Sequence, residues 1–148
     1  MPEEETLERA EEDKLEGKAA STQAGEFVRE EIEHVREGKH GARSTKQAIA
    51  IGLSKARRAG VKLPAPKKGK ASKQTRKQAA RDIRKGKSAA KGKKSTRRSR
   101  ATLGALKREG RSAASKKALS RQARSAAAKR SKASRSRSAK KAAQTRKK

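Results

Sequence analysis

Residues 39–64 read KHGARSTKQAIAIGLSKARRAGVKLP, and both ends of a helix are written in them. Ser44 with Gln47 three residues on has the spacing of a capping box, in which each side chain satisfies a backbone N–H that the first turn leaves open. Gly60, Val61 and then Pro64 follow in the order of a glycine-terminated helix stop. Between these signals Ile49, Gly52, Leu53 and Ala56 recur at i, i+3, i+4 and i+7, which makes one narrow apolar stripe. Ala48, Gly52, Ala56 and Ala59 keep that stripe shallow, so a neighbouring backbone can approach closely and a bulky side chain can sit in the notch.

The neighbour lies upstream. STQAGEFVREEIEHVREG, residues 21–38, repeats Ala24, Phe27, Val28, Ile32 and Val35 at helical spacing, with Ser21 or Thr22 as cap and Gly38 as terminator. Phe27 is the only aromatic residue of the chain and the expected occupant of the notch. The connection GKHGARS has a length that suits antiparallel helices. The expectation is an αα-hairpin over residues 21–63, helices at about 22–37 and 45–59, with a core of Phe27, Val28, Ile32, Val35, Ile49, Gly52, Leu53 and Ala56. Domains below about 40 residues are marginal alone; a homodimer through the hairpin, or docking of the helix expected at Thr6–Glu16, would support it. That helix belongs to an acidic N-terminal region, residues 1–20, and offers Leu7, Ala10 and Leu15 as its apolar face.

Downstream of LPAP, a basic tail rich in Lys, Arg, Ala and Ser runs from 64 to 148. Leu, Ile, Val and Phe number 15 of 148 residues, far under the roughly 20 % below which a highly charged chain is expected to be disordered. The formal net charge of +30 opposes compaction as well. Nascent helices are expected at about 73–85, 99–109 and 113–130, destabilised by like charges at i,i+4 and relieved when phosphate neutralises them. The fold class read from this is all-α: a short αα-hairpin plus isolated helices, with a long basic tail largely disordered or nascent-helical.

Charge divides the chain near Gly38. Residues 1–37 hold 13 acids and 5 Lys or Arg, whereas residues 38–148 hold 2 acids and 40 Lys or Arg. A body this basic carries the electrostatic footprint of a nucleic-acid binder, and a lone Phe with no Trp or Tyr rules out the aromatic platforms on which single strands stack. Duplex DNA, held through its phosphates without base reading, is therefore the expected partner. RNA or ribosome association fits the same charge, and so does an interaction protein that docks a partner through the hairpin. The acidic head either pairs with the basic body and holds back binding, or serves helix formation and solubility.

The residues expected to meet phosphate are Arg43, Lys46, Lys55, Arg57 and Arg58 on the hairpin, then Lys62, Lys67, Lys68, Lys70, Arg76, Lys77, Arg81, Arg84, Lys85, Arg97, Arg98, Arg100, Arg111, Lys116, Lys117, Arg121, Arg124, Lys129 and Arg130. At the start of the second hairpin helix, Arg43 and Lys46 flank free N–H groups and the positive end of the helix dipole, a generic anion site. Gln47, Ile51, Ser54 and Arg58 form the outer face of that helix, but a base-reading helix-turn-helix needs a shorter turn and a third supporting helix. No catalytic residue, cofactor or metal is expected: His34 and His40, with Glu30, Glu33 and Glu37 near them, read as solvated surface. The chain has no Cys, no apolar signal segment and no run of about 18 apolar residues, which reads as a cytoplasmic, nucleoid-associated protein with no membrane partner.

EFVREEIEHVREGKHGARSTKQAIAIGLSKARRAGVKLP resembles the shared core of a family of small, basic, uncharacterised bacterial proteins that carry a loose DNA-binding label. SRATLGALKREGRSAASKKALSRQARSAA resembles a second block found in its members. The resemblance implies nucleic-acid binding but no activity. The tail is similar in composition to those of linker histones and histone-like bacterial proteins, with more Arg and without Pro-Lys-Lys repeats.

Overall fold

The computed structural model describes residues 1–88 and 95–146. Seven α-helices are formed among them: α1 Glu4–Leu15, α2 Ala20–Glu37, α3 Thr45–Arg58, α4 Lys73–Lys87, α5 Thr96–Lys107, α6 Lys116–Ala128 and α7 Lys132–Arg146, with a 3₁₀ turn at Ser112–Ala114 before α6. No helix is long and apolar enough to cross a membrane.

The hairpin is α2 packed on α3. Ser44 caps α3 by accepting from the Gln47 N–H at 3.2 Å, and Gln47 Oε1 returns a bond to the N–H of Arg43 at 2.7 Å, one residue before the position a capping box would use. Gly38 ends α2 in the left-handed conformation at φ 79°. Neither Ser21 nor Thr22 caps α2, which starts at Ala20 with no side-chain cap.

Gly52 is where the two helices touch. A Cβ there would lie 2.6 Å from Val28 Cα and 2.9 Å from Phe27 O, so the backbone of α2 fills the space a side chain would need. Phe27 is buried beside Ala10, Ala24 and Ala56, against Leu53, Val61 and Leu63. A second cluster gathers Ile32, Val35, Ala42, Ala48, Ala113 and Ala114, with Val28 and Leu119 against it. Ile49 and Leu53 are half-buried. Gly52→Ala should cost about 1–3 kcal/mol in urea denaturation, because backbone must move. Gly25→Ala, with nothing within 4 Å of its added Cβ, should instead stabilise by about 0.5–1 kcal/mol.

α1 uses only Ala10 of the apolar face the sequence suggests. Leu7 and Leu15 are exposed, and Thr6, Ala10 and Asp13 face inward. Polar anchoring decides this register: the Glu3 N–H donates to Glu30 at 3.1 Å and Arg9 Nε to Glu26 at 2.8 Å.

The tail departs from expectation most. Most of its described residues lie in the helices α4 to α7 rather than being disordered, and α7 lies beyond the last helix expected there. Serine side chains cap all four of these helices, Ser72 accepting from Thr75 N–H, Ser95 from Arg98 N–H, Ser115 from Ala118 N–H and Ser131 from Ser134 N–H. Nor are all of them isolated. Asp82 fastens α4 to α3, accepting from Ser54 Oγ at 2.7 Å, and Ala113 and Ala114 bury themselves in the hairpin's second cluster. Alanine packs backbone to backbone without a large side chain, so a count of Leu, Ile, Val and Phe misses this core. α5 and α7 bury nothing.

Candidate nucleic-acid interface

The segment between α2 and α3 is stitched to the segment between α5 and α6. The Gly41 N–H donates to Leu106 O at 2.9 Å and the Ala42 N–H to Gly110 O at 3.1 Å. A Cβ on Gly41 would stand 1.9 Å from Glu109 O, so only glycine permits the contact. Thr45 Oγ1 donates to Ala113 O at 2.6 Å, and Arg36 Nε to Ala114 O at 2.9 Å. These bonds join the two sequence blocks, and they set the start of α6 beside the start of α3.

An open groove of about 670 Å³ lies between the two helix starts. Arg43, Lys46, Lys117 and Arg121 rim it, and Ser44, Thr45, Ser112, Ser115, Gln122 and Ser125 add hydroxyls and an amide. Two positive dipole ends meet there with four cations, a combination suited to phosphate. A smaller depression of about 280 Å³ lies along α6 at Lys117, Ser120, Arg121 and Arg124, whose spacing keeps them on one face.

Little acid opposes these cations. Asp82 is 2 % exposed and committed to Ser54, Gln78 and Arg58. Among the described residues, Glu109, 3.7 Å from Arg43, is the carboxylate that pairs with a cation of the groove. The acidic head pairs largely with itself: Arg9 with Glu5 and Glu26, Lys14 with Glu11, Lys18 with Asp13 and Glu16, Arg29 with Glu33. Among the described residues, its ion pairs with the rest of the chain reach Lys39, His40 and Lys55 and go no further.

Of the cations read from the sequence, Arg43, Lys46, Lys62, Lys67, Lys68, Lys70, Lys77, Arg81, Arg84, Lys85, Arg97, Arg98, Arg100, Arg111, Lys116, Lys117, Arg121, Arg124, Lys129 and Arg130 are exposed. Arg58 is exposed as well, and two hairpin cations, Lys55 and Arg57, are placed otherwise. Lys55 lies 2.8 Å from both Glu30 and Glu31, two carboxylates that are each 1 % exposed. Burial alone would lower the Lys55 pKa, but the two acids outweigh it and raise it. Glu30 is likewise pushed up by burial and held below its ordinary value by Lys55 and the Glu3 N–H.

Arg57 is 8 % exposed and donates to Pro64 O at 3.2 Å; burial pushes its pKa down, with Asp82 opposing. Arg58 lies 3.7 Å from Asp82. Arg76, on α4, is half-buried. Sequence reasoning passed over the exposed cations of α7, Lys132, Arg135, Arg137, Lys140, Lys141 and Arg146, which an unbroken helical run of Lys, Arg, Ala and Ser would have signalled. It also read His34 and His40 as solvated, whereas their side chains are 13 % and 10 % exposed.

The geometry defines an all-helical chain with a cation-rimmed groove where two helix starts converge. Residues 14–68 match the model of a family of unknown function, DUF6496, in keeping with the resemblance to an uncharacterised family. The matched stretch contains the hairpin and the Arg43 and Lys46 side of the groove, while Lys117 and Arg121 lie outside it. No curated protein and no solved structure matches the chain.

Proposed function

We propose that this protein binds the phosphate backbone of duplex DNA without reading base sequence, as a nucleoid-associated or DNA-compacting protein would. The observation that carries the reading is the groove, where Arg43, Lys46, Lys117 and Arg121 meet beside two helix starts and, among the described residues, Glu109 is the acid that pairs with a rim cation. Exposed cations on α4 to α7 extend the positive surface, so several phosphates can be met at once.

Each neutralised phosphate releases a condensed counterion, and binding therefore weakens steeply with salt. Fluorescence anisotropy with a random-sequence duplex, a structured RNA and a single strand, repeated across salt, tests this. Six to ten contacts should cost about 10³- to 10⁵-fold in affinity between roughly 50 and 200 mM salt, with little dependence on duplex sequence. Weak binding to all three near 100 mM salt, on the order of the 10⁻⁴ M end of non-specific affinities, overturns the reading. Tighter binding to structured RNA than to duplex by about tenfold transfers it to an RNA-associated protein.

A further inference from the structure

Outside the lining of the groove, Glu31, His34 and His40 each bring one ligand atom within 4.8 Å of the others. Glu31 is buried at 1 % exposure, and neither of its carboxylate oxygens has a hydrogen-bond partner. Lys55 Nζ stands 2.8 Å from Oε2 and His40 Nε2 stands 3.0 Å from Oε1, contacts close in distance but without hydrogen-bond alignment.

The tautomer of His40 sharpens the point. Its Nδ1 is 3.0 Å from Gly41 O, and a carbonyl only accepts, so Nδ1 carries the proton. In neutral His40 the Nε2 lone pair then faces a carboxylate oxygen that can also only accept. A positive centre belongs between them, either a second proton that makes His40 an imidazolium or a metal ion. Glu30 and Glu31 are two buried carboxylates against the one ammonium of Lys55, so a second positive charge, on His40 or on a bound ion, offsets a burial that is otherwise costly.

We infer that Glu31, His34 and His40 form a binding site for a divalent transition-metal ion of the zinc type. Two imidazoles and a carboxylate are a zinc donor set, with bonds of about 2.0–2.2 Å, and they favour zinc over magnesium. The outer contacts are in place as well: Gly41 O fixes His40 with Nε2 outward, and Lys55 orients Glu31 through the other oxygen, the kind of support that ligands need. His34 Nε2 meets Glu3 Oε1 at 2.8 Å and exchanges that partner for the ion, leaving Glu3 or water for the fourth position. Bound metal would clip the end of α2 to residues 39–41, and so steady the loop that Gly41 and Ala42 bond to Leu106 and Gly110.

The test uses the untagged chain, purified with chelator, because His34 and His40 are its only histidines and it has no Cys. Calorimetric titration with zinc should show one saturable site per chain, and zinc at about 100 times Kd should raise Tm by about 5–10 °C, while magnesium does neither. His40→Ala and Glu31→Gln should each abolish the zinc-dependent rise. Since a variant can fail to fold, nitrogen NMR of the two imidazoles in the unmutated chain serves as a second readout, with zinc moving His40 Nε2 and not Nδ1. No saturable zinc binding, histidine resonances unmoved by zinc, or zinc binding unchanged in a folded His34→Ala, His40→Ala double variant overturns the site.

Discussion

Replacing Lys55 with Met should destabilise the fold by about 3–5 kcal/mol, because it strips the ammonium from two carboxylates that are each 1 % exposed and leaves them buried without a compensating charge. A domain's whole stability is about 5–15 kcal/mol, so the variant should be largely unfolded well before the unmutated chain in urea. Lysine's stem is not the cause, since methionine replaces its length and packs as well. Adding Glu30→Gln and Glu31→Gln to Lys55→Met should recover at least half of the loss, as neutral amides are far cheaper to bury than carboxylates. A cost under about 1 kcal/mol for Lys55→Met would mean that the cluster is wet, as surface pairs of that value are, and would remove the basis for reading Lys55 as structural.

Lys55 also marks where the sequence stops being legible. Caps, stripe and small-residue notch made the α2–α3 hairpin readable, since each is a local signal with a local cause. The partner of Lys55 is not local: Glu30 read as solvated surface and Glu31 drew no reading, and the position of α3 gives both a buried partner. The same reason hid the face of α1, where Thr6 and Asp13 displace Leu7 and Leu15 from the interface.

One long-range signal was present and went unread. Residues 38–148 hold just two acids, and in so basic a field each lone carboxylate marks a contact: Asp82 holds α4 on α3, and Glu109 lies where the α5–α6 segment closes over Gly41. Of the candidate interface, the Arg43 and Lys46 half was legible from a helix cap. The Lys117 and Arg121 half depended on alanines docking, which leave no periodic trace of large side chains. Because Asp82, Ala113 and Ala114 belong to the packed structure, a truncation after Pro66 would remove core along with charge, and tests of binding need substitutions instead.

Exchanging Arg43, Lys46, Lys117 and Arg121 together for Gln should weaken duplex binding by about 30- to 1000-fold at low salt, taking roughly 0.5–1 kcal/mol for each lost contact with phosphate. The slope of log affinity against log salt should fall by about 3–4, close to one for each contact removed. All four side chains are exposed, so far-UV circular dichroism and Tm should be nearly unchanged. The decisive comparison is a second quadruple variant, Lys132, Arg135, Lys140 and Lys141 to Gln on α7, which removes the same charge from a helix that buries nothing. If binding is spread evenly over the positive surface, the two variants lose affinity and slope alike. If phosphate is held where two helix starts converge, the groove variant loses at least tenfold more, because its side chains act beside fixed dipoles while those of α7 act as loose point charges.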